Sequence, residues 1–319
     1  MKKIGIITSG GDCSGMNACI RSVVRTGLRL GLEVVGFKKG YLGLMKGDYL
    51  KLDSKAVSGI MHRGGTFLQS ARSPEFRTLE GQQTAMGILT ELKVEGLIIL
   101  GGDGSLTGAL ALHKLGMPVI GIPASIDNDI PYTDMSLGVD TALNNIIYAV
   151  DCIKDTASSH ARAFVIEVMG RNSGYLASVA AIASGAEYAL VPERKFDLSE
   201  ICQQLRQRYE EGRDNAIIIL AEGVAKGQDI ADSIKDAIGF ETRVTVLGHY
   251  QRGGAPTVFD RLLASRLGKK AVELLIAGNH GMMAGLSCNT ILAIPLEDVI
   301  KGEKRPQDEM LRLAEVLGI

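Results

Sequence analysis

The chain has 319 residues, 46% of them hydrophobic, with 39 glycines and a formal net charge of −1. That length exceeds what one core readily fills, so two lobes are expected, and the near-neutral balance without a basic, aromatic-interleaved block argues against a nucleic-acid partner. Apolar runs stop at about ten residues, short of the ~20 of a membrane span, and five scattered cysteines without a CxxC pair fit a reduced cytoplasm and no structural zinc.

In chain order, Lys2 to Thr8 reads as an apolar strand, too short for a signal peptide. It ends in Ser9-Gly10-Gly11-Asp12-Cys13-Ser14-Gly15-Met16-Asn17, and a helix is predicted from about Met16 to Leu30. A strand, a glycine turn and a helix N-terminus together suit a phosphate. The spacing is neither G-x-G-x-x-G nor G-x-x-x-x-G-K-[ST], which disfavours a plain dinucleotide fold and a P-loop. Arg21, Arg25 and Arg29 recur every four residues as one basic stripe, either a solvated face or an anion site. Leu32 to Phe37 is a second strand, with Gly40-Tyr41 in the loop after it. His62 to Phe76 is a Gly-containing loop with Arg63 and Arg72, and Thr78 to Lys93 an amphipathic helix.

The central stretch runs from Val94 to Asp129. Gly96 to Leu100 lacks polar alternation and reads as a buried strand. It stops at Gly101-Gly102-Asp103-Gly104-Ser105. A helix follows over Leu106 to Leu115, then a strand over Pro118 to Ile122 and a turn with Asp127-Asn128-Asp129. The glycines let a phosphate approach the backbone, and the helix N-terminus favours negative charge. Asp103 in that nest would repel a phosphate unless a cation such as Mg²⁺ lay between them. Asp127 and Asp129 are general-base candidates. The alternative is a tight turn with Asp103 as a helix cap.

Further on, a helix is predicted from Asp140 to about Thr156, and a strand from Ala163 to Val168 ending in Met169-Gly170-Arg171. A helix over Gly174 to Ala183 follows. Strands over Ala216 to Leu220 and Arg243 to Leu247 end in Ala221-Glu222-Gly223 and Gly248-His249-Tyr250-Gln251-Arg252-Gly253-Gly254. The last helix is placed at Asp308 to Leu317. At least six apolar strands thus end in Gly-containing turns, which predicts an α/β fold with a crevice lined by strand ends. The first ends suit a nucleotide with Mg²⁺, and the later ones, with Arg171, Glu222, His249 and Arg252, suit an anionic partner. Two anionic substrates meeting point to phosphoryl transfer, which needs mainly positioning and charge neutralisation.

The set GGDCSGMN (10–17), GGDGS (101–105), SIDND (125–129), MGR (169–171), AEG (221–223) and GHYQRGG (248–254) resembles the bacterial 6-phosphofructokinase family, in order and spacing, over essentially the whole chain. The resemblance implies two Rossmann-like lobes with mostly parallel sheets sandwiched by helices and the active site in the cleft between them. An ATP/Mg lobe is expected over 1–138 plus 251–301, and a fructose 6-phosphate lobe over 139–250 plus 302–319. It implies ATP and Mg²⁺, a homotetramer with a shared site, and a cytoplasmic enzyme of glycolysis. By position, Gly11, Tyr41, Arg72, Ser73, Arg77, Gly102, Asp103, Gly104 and Ser105 match the ATP site, with Asp103 on the metal. Asp127 matches the base, assisted by Ser125, Asp129, Arg72 and Arg171. Met169, Gly170, Arg171, Glu222, His249 and Arg252 match the sugar-phosphate site, together with Ser125 and Asp127. Arg162 and Arg243 match arginines that reach a neighbouring subunit's sugar phosphate.

Pyrophosphate-using relatives resemble this pattern with Asp and Lys where this chain has Gly104 and Ala124, and the small residues argue for ATP. Ser14 replaces a usual Pro, which is expected to loosen the first loop. Arg21, Arg25, Lys154, Gly185, Glu187 and Arg213 match an effector site for ADP or phosphoenolpyruvate. Ser54 and Glu211 depart from its basic pattern, so a weakened or altered effector response is expected. A pyrophosphate-dependent relative, a kinase for another sugar phosphate and a non-catalytic sensor are the competing readings.

Overall fold

The computed structural model of the chain describes residues 1–160, 162–213, 215–238, 241–304 and 308–318. Two compact units emerge, one holding residues 1–126, 130–141 and 252–304, the other residues 127–129, 142–251 and 305–319. Of the stretch 302–319 expected in the second lobe, residues 305–307 and 319 lie outside the described residues.

The first unit opens with β1 (Lys3–Thr8), α1 (Met16–Arg29), β2 (Glu33–Phe37), α2 (Gly40–Lys46), β3 (Tyr49–Lys51), α3 (Leu79–Glu91), β4 (Gly96–Gly101), α4 (Asp103–Lys114) and β5 (Val119–Pro123). Helix α5 (Val139–His160) carries the chain into the second unit. That unit holds β6 (Ala163–Val168), α6 (Tyr175–Ser184), β7 (Tyr188–Leu190), α7 (Leu198–Glu210), β8 (Ala216–Ala221), α8 (Gly227–Ile238) and β9 (Thr242–Val246). The first unit resumes with α9 (Val258–Ile276), β10 (Met282–Ser287), β11 (Thr290–Pro295) and α10 (Leu296–Lys301). Helix α11 (Asp308–Gly318) belongs to the second.

The first unit's sheet has the order β11-β10-β5-β4-β1-β2-β3. Its interior pairs are parallel, and β3 and β11 add antiparallel edges. Strand order reverses between β1 and β4, the switch point beside which α/β sheets bind ligands. Every residue of β4 and β5 is buried, as their unbroken apolar runs predict. Leu97 and Ile99 face a core with Leu89, Leu106 and Leu112. Each such side chain contributes about 1.5–3 kcal/mol by leaving water. The second unit's sheet, β7-β8-β6-β9, is wholly parallel, and Val165, Ile218 and Leu220 pack there against Leu205 and Ile234. Among the described residues no helix is long and apolar enough to cross a membrane.

Two local expectations are corrected. Gly40-Tyr41 is not loop but the first turn of α2. Lys39 (φ 56°) and Gly40 (φ 60°) turn the chain out of β2, and Gly47 (φ 65°) stops the helix. Three glycines within eight residues weaken helix propensity and hid the pattern. Helix α4 begins at Asp103 rather than Leu106, with Gly102 at its N-cap, so Asp103, Gly104 and Ser105 form its first turn.

Candidate active site

The turn after β1 lies beside the end of β4, where Ser9 N–H donates to Leu100 O at 2.9 Å. Gly101 has no room for a side chain, because a Cβ there would meet Ser105 Oγ and Ser9 O. A Cβ on Gly11 would collide with the Arg252 guanidinium, whose Nη1 donates to Asp12 O at 3.2 Å. Arg252 Nε is buried with no hydrogen-bond partner among the described residues, an orphaned cationic donor suited to an anion. Ser14 does not loosen this loop. It is buried, and its hydroxyl donates to Gly254 O (2.8 Å) and Gly253 O (3.2 Å), tying the first loop to the 253–254 turn.

Asn17, at the start of α1, holds the next loop. Its Nδ2 donates to Arg63 O and Gly64 O (3.1 and 3.0 Å), and its Oδ1 accepts from Phe67 N–H at 2.8 Å. Ser70 Oγ donates to Gly10 O, and Thr8 Oγ1 to Gln69 O. This loop therefore delivers Arg72 and Ser73 from a base pinned on β1. Arg72 and Arg77 are exposed, while Ser73 Oγ is a buried atom with no partner among the described residues.

At the start of α4, Asp103 and Gly104 are exposed and Ser105 is buried. A Cβ on Gly104 would meet nothing within 4 Å. Tyr41, expected beside the nucleotide, is only 5% exposed. Its ring stacks on Phe76 (centroids 3.9 Å apart) and backs onto Gly108, and its hydroxyl donates to Ser105 O at 2.6 Å. Burial pushes its phenol well above the ordinary value, so it props the first turn of α4 as a neutral donor. Among the described residues no three His, Cys, Asp or Glu side chains gather as a metal cage. An exposed carboxylate in the first turn of a helix suits Mg²⁺ carried on phosphates, since this ion keeps waters and takes one or two carboxylates. Beyond β5, the half-buried Ser125, Asp127 and Asp129 alternate with the buried Ile126, Asn128 and Ile130. Asn128 takes a left-handed turn (φ 49°), a conformation Asn tolerates.

In the second unit, three adjacent strand ends carry the expected side chains. Glu222 N–H donates to Val168 O and Gly223 N–H to Gly170 O, setting Met169-Gly170-Arg171 beside Glu222. Gly170 is left-handed (φ 129°), and a side chain there would strike Ser173 O. Ser173 in turn donates to Asp127 O at 2.9 Å. Leu247 N–H donates to Glu167 O, bringing the turn with His249 alongside. Arg171, Glu222 and His249 are exposed on this buried scaffold, whereas Met169 is 9% exposed. Arg252 falls in the first unit, and Ser125 with it. Arg162 and Arg243 do not join Arg171. They sit at the opposite, N-terminal ends of β6 and β9, about 20 Å away for a six-residue strand.

Of the expected effector residues, Lys154 on α5 donates to the Ser184 carbonyl and to Gly185 O, with Gly185 closing α6 at φ 63°. Glu187 nearby accepts from Ile217 N–H at 2.6 Å. Arg213 follows α7 in the same unit, and Arg21 and Arg25 lie on α1 in the other.

Two supporting residues escaped the sequence reading. Gln251, 1% exposed, accepts from Met169 N–H at 3.1 Å and donates to Gly248 O at 3.0 Å, joining two strand-end turns. Asp260, wholly buried, accepts from Gly138 N–H, Thr141 N–H and Thr141 Oγ1 and so anchors the start of α5. A T-x-x-D pattern at Thr257–Asp260 signals a helix start, but the distant partner of its carboxylate is invisible in sequence.

The phosphofructokinase family model matches residues 3–275. The chain belongs to the phosphofructokinase family. This family member is 50% identical, over 319 residues and the full length of both chains, to the ATP-dependent 6-phosphofructokinase of Natranaerobius thermophilus. It is 49% identical over the same span to that of Halalkalibacterium halodurans. The structure of phosphofructokinase from Saccharomyces cerevisiae is 38% identical and superposes with a TM-score of 0.88, over 94% of this chain and 45% of the yeast chain. A pyrophosphate-dependent phosphofructokinase from Marinobacter aquaeolei shares the fold (TM-score 0.87, 97% of this chain and 86% of that one) at 22% identity.

Proposed function

We propose that this phosphofructokinase is the ATP-dependent 6-enzyme, transferring the γ-phosphoryl group of ATP to the 1-hydroxyl of fructose 6-phosphate to give fructose 1,6-bisphosphate and ADP. The observation that carries the reading is full-length identity of about one half to relatives of that name. The open space at Gly104 supports ATP over pyrophosphate as donor.

In this reading the first unit takes the nucleotide. Gly11, Gly102, Gly104 and Ser105 let its phosphates approach backbone N–H groups and the N-terminus of α4. Ser73, Arg72 and Arg77 approach from the 62–77 loop, and Tyr41 braces Ser105 from beneath. Asp103 would hold Mg²⁺, which when bound neutralises charge on the donor phosphates. The second unit takes the sugar phosphate through Met169, Gly170, Arg171, Glu222 and His249, with Ser125 and Arg252 contributed by the first. Asp127 takes the proton of the attacking 1-hydroxyl, a role that contributes typically about 10²–10⁴-fold. Asp129 and Ser125 hold the acceptor, and Arg72 and Arg171 stabilise charge on the transferring group. Arg162 and Arg243, at the far end of the second sheet, serve the site of a neighbouring copy in a homotetramer. Lys154, Gly185, Glu187 and Arg213, with Arg21 and Arg25, form an ADP or phosphoenolpyruvate site whose response Ser54 and Glu211 weaken. The free state of all five cysteines fits a cytoplasmic enzyme.

The test is a donor assay with fructose 6-phosphate and Mg²⁺, offering ATP or pyrophosphate to the wild type and Asp127→Ser. Turnover with ATP alone, lost in the variant, is expected. Turnover with pyrophosphate overturns the donor assignment, and no turnover with either overturns the reaction.

A further inference from the structure

The N-terminal ends of β6 and β9 hold a charged cluster whose acidic member, Glu241, the catalytic reading leaves unexplained. Ala163 N–H donates to Glu241 O at 3.0 Å, and the register sets Ala163 opposite Thr242 and Phe164 opposite Arg243. That pairing fixes Glu241 between two arginines. Arg162 Nε donates to Glu241 Oε2 at 2.5 Å, and Arg243 Nη2 pairs with Glu241 Oε1. Each carboxylate oxygen therefore takes one guanidinium. Burial pushes the Glu241 carboxyl up, but hydrogen bonding and charge from Arg162, and then from Arg243, outweigh it and leave the pKa below its ordinary value.

The geometry consumes one nitrogen of each guanidinium. The other two nitrogens of Arg162 and of Arg243 have no hydrogen-bond partner among the described residues. Two guanidinia brought this close repel, and without an anion between them each long side chain would take up other rotamers. We infer that Glu241 is a positioning residue for phosphate recognition: it holds Arg162 and Arg243 converged, so that their remaining N–H donors form one cradle for a phosphate monoester. The inference rests on the proposed role of these two arginines toward the sugar phosphate. The trio keeps a net charge of +1, so it still attracts a dianion. Ordering the arginines before the ligand arrives removes part of the conformational cost of binding.

The experiment compares steady-state kinetics of wild type, Glu241→Ala, Glu241→Gln, Arg162→Ala and Arg243→Ala in the full-length protein, with thermal midpoints alongside. For Glu241→Ala the KM for fructose 6-phosphate is expected to rise about tenfold, while kcat and the KM for ATP stay within about twofold, the signature of lost uniform binding. Glu241→Gln, which keeps the shape and one acceptor oxygen, is expected to recover about half of that loss on a logarithmic scale. Each arginine variant is expected to raise the same KM by about tenfold or more. If the arginine variants leave it unchanged, their phosphate role falls, and the inference with it. If they raise it while Glu241→Ala leaves it unchanged or lowers it, the carboxylate is neutral or competes with phosphate, and the inference alone is overturned. A rise in both KM values, or a fall in kcat with a lowered thermal midpoint, marks a purely structural role and overturns it as well.

Discussion

Gly104→Asp separates fold from function at one position. The second residue of α4 has ordinary helical backbone, and its Cβ direction is open to at least 4 Å. Replacing Gly by Asp within a helix recovers about 0.3 kcal/mol of propensity, and an acid in the first turn adds about 0.3–1 kcal/mol. Repulsion from Asp103 offsets part of this, leaving a gain of roughly 0.5 kcal/mol, or about 1 °C in thermal midpoint for a chain of this size. The same carboxylate placed about 6 Å from a bound nucleotide phosphate, at an effective dielectric of about 20, costs close to 3 kcal/mol per unit charge. That corresponds to about a hundredfold loss in kcat/KM for ATP. Differential scanning calorimetry and a coupled ADP assay read the two effects, with the KM for fructose 6-phosphate as control. A variant that keeps its ATP kcat/KM within threefold would refute the placement of the phosphates, and a lowered midpoint would refute the open space.

Other outcomes follow from the same geometry. Gly11→Ala pushes the Arg252 guanidinium aside, so the KM for fructose 6-phosphate should rise about tenfold, equivalent to ~1.4 kcal/mol, with little change in stability; an unchanged KM in initial-rate measurements would separate Arg252 from the sugar phosphate. Gln251→Leu leaves the buried Met169 N–H and the part-buried Gly248 O without their bridge, costing about 1–3 kcal/mol in urea unfolding. No loss would mean that water replaces the amide. Cys13 and Cys19 are buried, and burial pushes both thiols well up. In mass spectrometry after brief alkylation near neutral pH, the exposed Cys152 and Cys288 should be labelled and Cys13 and Cys19 untouched; labelling of Cys19 would show that α1 opens readily.

What the sequence made legible has a physical pattern. β1, β4, β6 and β8 are buried along nearly their whole length, so their unbroken apolar runs stand out, and their bounds were read to within one residue. β3 and β11 are edge strands with mostly exposed residues, and β7 has three residues, so none offers a periodic signal. Helices α7 and α9 open on ordinary N-caps, Asp197 and Thr257, so their starts are signalled locally. In the site, residues with backbone duties were readable as glycines. Supports such as Tyr41, Asn17 and Gln251 act through partners 64, 50 and 82 positions away, a separation that composition and spacing do not encode.

The first unit is sewn together from both ends of the chain, and this dictates an order of assembly. Its β5 is completed only by β10, with Ile120 opposite Met282, and α1 finds its cover only when α9 arrives, with Ser22 Oγ donating to Ser265 O. The second unit's sheet needs nothing beyond one continuous run from Ala163 to Val246. During synthesis the unit that starts first therefore finishes its sheet last. A nascent chain halted after β9 would carry a bare, wholly apolar strand edge at β5 and an uncovered stripe on α1, a template for association with its neighbours on the same message.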